Sequence, residues 1–172
     1  VLVLSCDVCN SEPDERLWQE IADEEKAVRE TVKLEQINKW LPIQATRQAY
    51  KRLGKDPNRY RPSSEALRRR ILRELPLYKV DTLVDLINLV SIRSGYSIGG
   101  FDADKIAGGS LVLGVGREGE IYHGIGRGEL NIAGLPVYRD AVGGVGTPTS
   151  DEERTKIGLD TTHLLMLSLI HI

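Results

Sequence analysis

The spacing of hydrophobic positions changes about halfway along the chain. Up to about Ser94, apolar residues recur at the three- and four-residue intervals typical of amphipathic helices. Beyond Ser94, short apolar runs alternate with glycines, and Gly54 is the only one of the 17 glycines in the first part. This change predicts a helical first half and a second half of strands and turns.

The first half is predicted to open with a buried strand, because VLVLSC is a short, β-branched apolar run. Residues 11–40 then have the pattern of one or two amphipathic helices that begin at the capping sequence SEPD. A basic helix over residues 44–53 should end at Gly54. Ser63 or Ser64 should cap the next helix, EALRRRILREL.

The last helix of this half, residues 82–93, is apolar nearly all round and is therefore predicted to be buried. Asp81, Asp85 and Asn88 fall at positions i, i+4 and i+7 and form one narrow polar stripe along it. A buried stripe needs hydrogen-bond partners or water, whereas an exposed stripe faces solvent. The sequence leaves both arrangements open.

Three strands are expected after Gly100, in SLVLGVG, EIYHGIG and LPVYRDAV, at a spacing typical of a β-sandwich or barrel. The sequence GVGREG, residues 114–119, matches the dinucleotide-binding pattern, but no helical pattern follows it, so a hairpin turn is favoured. The loop at residues 143–155 leads into a capping box in which Glu153 answers Ser150. Its amides could bind a carboxylate or an oxyanion, or form a plain turn.

Charge is unevenly distributed, although the net charge is only −2. Residues 46–73 carry ten basic and two acidic side chains, and this local excess can attract an anion. Tyr50 and Tyr60 lie among these cations, which suits RNA with unstacked bases. Alternatively, this face pairs with residues 10–30, which carry eight acidic and three basic side chains.

The cysteine content and the terminal segments argue against a zinc protein, a secreted protein and a membrane protein. Cys6 and Cys9 lack the second pair of a zinc site, so two reduced structural cysteines are expected, with no metal and no cofactor. The apolar runs at both ends are too short for a signal sequence or a membrane span, which favours a cytoplasmic protein. Because the chain begins with Val1, we expect further residues to precede it.

Several stretches between residues 50 and 162 resemble one known domain, above all RPSSEALRRR, VDLIN and FDADKI. They are similar to the B3/B4 domain of the phenylalanyl-tRNA synthetase beta subunit, and more so to free-standing proteins with that domain alone. The resemblance implies an α+β fold with a Greek-key, β-barrel-like core and flanking helices. It also implies a strand-and-helix leader, residues 1–56, packed on a domain at residues 57–172.

In the synthetase this domain forms an editing pocket that hydrolyses tyrosine wrongly attached to the phenylalanine tRNA. The resemblance implies catalytic roles for Asn88 and Asp160, the latter in place of a glutamate. Ile87 and Gly99 stand where that domain has a threonine and a histidine. The implied walls and floor of the substrate pocket are Asp85, Gly99, Gly100, Gly143, Gly144 and Gly146.

Three functions remain open at this stage. A binding module would hold tRNA, aminoacyl-tRNA or a small amino-acid-like ligand without chemistry. A free-standing deacylase would hydrolyse mischarged tRNA, and a structural protein would bind a partner. No DNA or membrane partner is expected, and the predicted RNA contacts are Lys51, Arg52, Arg59 and Arg61.

Overall fold

The computed structural model describes residues 1–169 and confirms the α+β class. The helices are α1 (Glu15–Thr31), α2 (Leu41–Arg52), α3 (Ser63–Leu72) and α4 (Thr82–Ser94). The strands are β1 (Leu2–Asp7), β2 (Ile98–Asp102), β3 (Val112–Val115), β4 (His123–Gly124), β5 (Gly128–Glu129), β6 (Pro136–Arg139), β7 (Gly144–Gly146) and β8 (His163–Ser168).

The strands pair antiparallel in three sheets, with the orders β1-β8-β2, β3-β6-β7 and β4-β5. Within residues 1–169 these sheets do not close on one another, so the expected Greek-key barrel is not confirmed. Strand β1 forms as predicted but is not buried, since the side chains of Leu2 and Val3 are 55% and 59% exposed. It lies at the edge of its sheet and pairs with one strand, β8.

The glycine-rich sequence at residues 114–119 forms a turn that no helix follows. The predicted hairpin is wrong, because β3 pairs with β6 instead of the next segment. A Cβ at Gly116 would lie 1.9 Å from the carbonyl oxygen of Ile132, so the glycine permits close backbone approach there. The strand expected in EIYHGIG is reduced to the two residues of β4.

Two helix starts differ from the prediction for local reasons. Helix α2 begins at Leu41 with Pro42 in its first turn, where a missing N–H is tolerated. Helix α3 begins at Ser63, and its N-cap is Pro62, so the predicted serine cap is wrong. The amide of Ser63 donates to the Pro148 carbonyl at 2.8 Å, which ties the start of α3 to the second half of the chain.

Helix α4 is not buried all round, contrary to the prediction. Leu86 and Val90 are 45% and 44% exposed, so one apolar face meets solvent. The polar stripe lies inward at its start, because Asp85 is only 1% exposed and Asp81 accepts the N-capping hydrogen bond from Val84. Gly95 ends the helix in the left-handed region with φ of 78°.

A buried carboxylate joins α2 to α3. Glu65 is fully buried and contacts Arg47 and Arg69, each at 2.8 Å. Arg68, the middle of three consecutive arginines, points inward and donates to the Ile92 carbonyl of α4. The central helices are therefore fixed by charged groups that have partners.

Within residues 1–169, the acidic segment at residues 10–30 is not joined by ion pairs to the basic segment at residues 46–73, although the charge of Glu24 partly offsets the lowering of the Arg68 pKa by burial. Glu20 and Glu24 of α1 pair with Arg93 of α4. In the part of the chain that the structure describes, no ion pair joins residues 10–30 to residues 46–73.

Removal of the buried carboxylate should strongly destabilise the fold. We expect Glu65→Ala to lower the free energy of unfolding by about 3–5 kcal/mol, because two arginines lose their partner. Glu20→Ala is the matched control, since that pair is exposed, and should cost less than about 1 kcal/mol. Urea denaturation measures both, and equal losses would contradict the assignment.

Candidate functional site: a basic cleft beside a small acidic cavity

A cleft of about 810 Å³ lies between α1, α3, α4 and two loops of the second half. One wall is basic and comes from α3, its flanking segments and the β4–β5 turn: Arg61, Arg69, Arg70, Arg73 and Arg127. The remaining lining is apolar or aromatic, with a few neutral polar groups and one carboxylate: Trp18, Ile21, Ser63, Ala66, Leu67, Leu75, Leu77, Tyr78, Val80, Asp85, Asn88, Leu89, Ile92, Ile125, Gly126, Thr149 and Ser150. We call it the basic cleft.

The arginines of the basic cleft are largely uncompensated. Arg69 pairs with Glu65, whereas the other four have no carboxylate partner within residues 1–169. Elsewhere, Arg139 and Arg154 pair with Glu120 and Asp140. Convergent, unpaired cations in a concave surface produce a positive potential that favours an anionic ligand.

Two aromatic rings lie among these charges. The guanidinium of Arg70 lies 4.2 Å from the ring centroid of Tyr78, a side chain that is 70% exposed. The ammonium of Lys79 lies 4.7 Å from the ring of Trp18 on α1. Such cation–π pairs leave planar surfaces at the cleft, on which a nucleobase can stack.

The first two turns of α4 supply the carboxylate of the cleft, Asp85, and its side-chain amide, Asn88. Asp85 accepts from the indole of Trp18 at 2.6 Å and from the amide of Val80 at 3.1 Å. Burial raises the pKa of this carboxyl above its ordinary value, against the effect of those two hydrogen bonds. Asn88 is half-buried, and its side-chain amide has no partner among the described residues. It is therefore available to a ligand.

A second, much smaller cavity of about 10 Å³ lies behind the cleft, and we call it the inner cavity. A Cβ at Gly99 or Gly146 would lie 3.0 Å from the Oδ1 atom of Asp151 and still closer to the ring of Phe101. The two glycines therefore make room for that ring and that carboxyl. The volume is about that of one water molecule and is too small for an amino acid.

Asp151 is the acidic residue of the inner cavity. Its Oδ2 atom accepts from the amide of Gly100 at 3.2 Å. Burial outweighs this bond and raises the pKa of Asp151 to about 7. Burial and the Asp151 charge together raise the pKa of Tyr138 to about 12, and the hydroxyl of Tyr138 is buried without a hydrogen-bond partner in residues 1–169.

One turn separates the two cavities. Thr149 and Ser150 line the basic cleft, whereas Thr147, Pro148 and Asp151 line the inner cavity. The carbonyl of Ser150 accepts from the Thr147 amide and hydroxyl and from the Tyr122 hydroxyl, at 3.1, 2.9 and 2.7 Å. These bonds hold residues 147–151 in a fixed shape, and we call this segment the 147–151 turn.

The structure divides the predicted pocket residues instead of gathering them. Asp85, Asn88 and Arg61 line the basic cleft, while Gly99, Gly100 and Gly146 surround Asp151. A Cβ at Gly100 would lie 2.6 Å from the Cδ1 atom of Ile87, so an aliphatic side chain fills the space expected to be open. The single hollow expected from the sequence is therefore not formed.

The remaining predicted residues lie outside both cavities, and their proposed roles stay predictions. Gly144 packs against Tyr122, and the amide of Gly143 donates to Asp140 at 3.0 Å. Asp160 is exposed near Gly158. The predicted RNA contacts outside the cleft lining are Lys51, Arg52 and Arg59.

Sequence reasoning missed Asp151 and most of the basic wall. Three consecutive arginines cannot share one face of a helix, which turns about 100° per residue, and Arg68 is the one that points inward. Arg127 comes from a distant β-turn, so no local pattern could assign it to the cleft. Asp151 lies within the predicted capping box, but the capping group is Glu152, whose side chain accepts from the amide of Arg154.

The fold and cleft define an α+β domain with an anion-attracting surface. The chain belongs to the B3/4 domain family, whose model matches residues 45–170. Membership supports a role related to tRNA synthetases. A search of curated proteins finds no match to this chain. Between residues 1 and 169, none of the helices has the length and apolarity needed to cross a bilayer.

The raised pKa of Asp151 predicts a specific dependence of stability on pH. Folded Asp151 keeps its proton up to about pH 7, whereas an unfolded aspartate loses it near pH 4. The folded state thus binds this proton more tightly, and the contribution to stability is lost as the pH rises between those values. In the wild type, this effect lowers the free energy of unfolding by up to about 1.4 kcal/mol per pH unit in that range. We expect Asp151→Asn to abolish this decrease, as measured by denaturant unfolding at several pH values.

Asp140→Asn is a control of opposite sign. Hydrogen bonds from Arg154 and three backbone amides hold the pKa of Asp140 below its ordinary value despite burial. Its contribution is therefore present at neutral pH and lost as the pH falls. If the stability of the Asp151→Asn variant varies with pH as the wild type does, the proton is not bound by Asp151.

Proposed function

We propose that this B3/4 domain is a binding module for single-stranded RNA, with the aminoacylated end of a tRNA as its natural ligand. The observation that carries this proposal is the set of arginines without carboxylate partners in the basic cleft. Arg61, Arg70, Arg73 and Arg127 supply contacts for phosphates, which dominate the affinity of proteins for nucleic acid.

The other groups of the cleft support a strand with unpaired bases. Tyr78 and Trp18 offer aromatic surfaces, and stacking on such rings recognises bases in single strands and loops. Asn88 adds a free amide that can hydrogen-bond a base edge or a carbonyl. A volume of about 810 Å³ accommodates one or two nucleotide-sized groups, in the range of small-molecule sites.

The likeness to the synthetase beta subunit supports the choice of tRNA. The motifs RPSSEALRRR, VDLIN and FDADKI all lie within the segment matched by the family. In the synthetase the domain meets aminoacylated tRNA, and the first of these motifs contributes Arg61 and α3 to the cleft.

Hydrolysis of an aminoacyl ester is the second candidate function. One observation favours it: Asp85 and Asn88 both line the cleft, and burial raises the pKa of Asp85 toward that of a general base. Against it, both carboxylate oxygens of Asp85 already accept hydrogen bonds, and Asp160 lies outside the cleft. Binding without turnover is therefore the main proposal.

Neutralising the basic wall should weaken RNA binding. We expect Arg73→Gln and Arg127→Gln each to lower the affinity for a single-stranded RNA about tenfold and to reduce the salt slope by about 1. The affinity is measured by fluorescence anisotropy between about 50 and 200 mM salt.

Arg52→Gln is the matched control for that experiment. Arg52 is an exposed arginine on α2 that the sequence predicts as an RNA contact, but it lies outside the cleft lining, so binding in the cleft implies that its loss changes the affinity little. If Arg52→Gln weakens binding as much as Arg73→Gln, the RNA does not lie in the basic cleft. An affinity independent of salt would contradict phosphate recognition altogether.

Incubation with mischarged tRNAs separates the two candidate functions. A binding module should release amino acid no faster than buffer from any tRNA that it retains. A faster release that Asn88→Ala removes would establish the hydrolase, because Asn88 contacts the cleft and not the fold's core. Filter binding of the same variant shows whether the RNA still binds.

A further inference from the structure

The 147–151 turn has one face on each cavity, and we propose that it is a proton-dependent switch that sets the anion affinity of the basic cleft. Asp151 is the sensor on the inner side, and Thr149 and Ser150 are the responding residues on the cleft side. The proposal rests on the proposed function, since it concerns regulation of the same cleft.

The inner cavity is built for a neutral carboxyl group better than for a carboxylate. Gly100 supplies the one hydrogen bond to the Asp151 side chain within residues 1–169, and no lysine or arginine in that range pairs with it. The ring of Phe101 lies on its other side. An ionised Asp151 is thus an uncompensated charge that gains from hydration.

The groups around Asp151 do not offset its charge. Tyr138 of β6 and Tyr122 before β4 both face it, and its negative charge raises their pKa values further above the ordinary value. The next residue, Glu152, adds a second carboxylate. The Nδ1 atom of His123 on β4 lies 3.9 Å from the Oε1 atom of Glu152. Burial brings the pKa of Asp151 itself to about 7, within the physiological range.

The turn transmits a displacement of Asp151 to the cleft through three hydrogen bonds. The Pro148 carbonyl accepts from the amide of Ser63, the first residue of the helix that carries Arg69 and Arg70. The hydroxyl of Thr149 pairs with that of Tyr50 at 2.9 Å, and the Ser150 carbonyl accepts from Tyr122. A shift of residue 151 therefore moves the cleft wall.

Two effects of deprotonation act in the same direction. Hydration of the carboxylate opens the turn and disturbs the wall, and the new negative charge lowers the potential behind the arginines. Anion affinity should therefore fall as the pH rises through about 7.

The binding test uses an oligouridine of about 12 nucleotides, because its phosphodiesters do not titrate near neutral pH. We expect wild-type protein to bind it about fivefold more weakly at pH 8 than at pH 6. Asp151→Asn should keep the affinity that the wild type has at pH 6 at both values. His123→Gln, which alters the nearest histidine, should retain the wild-type pH dependence. A flat wild-type profile, or a pH dependence that survives in Asp151→Asn, would overturn the switch.

Amide hydrogen exchange of the free protein tests the switch without RNA. After correction for intrinsic rates, residues 147–152 should exchange faster at pH 8 than at pH 6 in the wild type, and Asp151→Asn should remove the difference. If no RNA binds at any pH, the proposed function fails, and hydrogen exchange alone then tests whether Asp151 controls the opening of the turn. Opening that depends on Asp151 supports the switch, whereas exchange independent of pH overturns it.

Discussion

The 147–151 turn is the constraint on which the arrangement of this molecule depends. Its carbonyls accept from α3 and from Tyr122, and its Thr149 hydroxyl meets Tyr50 of α2. The helical and strand-rich halves therefore meet at these five consecutive residues, in addition to the pairing of β1 with β8 and the packing of α4 against β2. Because the turn is held by several hydrogen bonds at once, the helices keep a fixed distance from the second half, and the basic cleft lies in that space.

Four arginines without a carboxylate partner in the described part of the chain converge on the basic cleft. The buried Glu65 pairs with Arg47 and Arg69. Glu20 and the half-buried Glu24 both pair with Arg93, so these carboxylates support the fold. The arginines of the cleft are mostly left without such partners, so their charge is available to a ligand. A protein of nearly neutral net charge can thus present a positive surface, since the local arrangement of charges and not their sum sets the potential.

The two cavities divide the tasks that an editing-type pocket would combine. The basic cleft is large and open enough for an RNA end, whereas the inner cavity holds about one water molecule. The space beside Gly99 is occupied by Phe101 and Asp151, so no amino-acid-sized pocket forms there.

Local patterns in the sequence determined the helical first half, the strand-rich second half and the family motifs. These features depend on periodicity, capping residues and glycine content, which act over a few residues. The tertiary structure alone decided that Asp85 is buried while Leu86 is exposed, that Ile87 fills the space beside Gly100, and that Arg127 lines the same cleft as residues of α3. The separation of the sheets and the desolvation of the Asp151 carboxyl group were decided in the same way. Burial, desolvation and contact between distant segments depend on how elements pack, and no pattern within one segment contains that information.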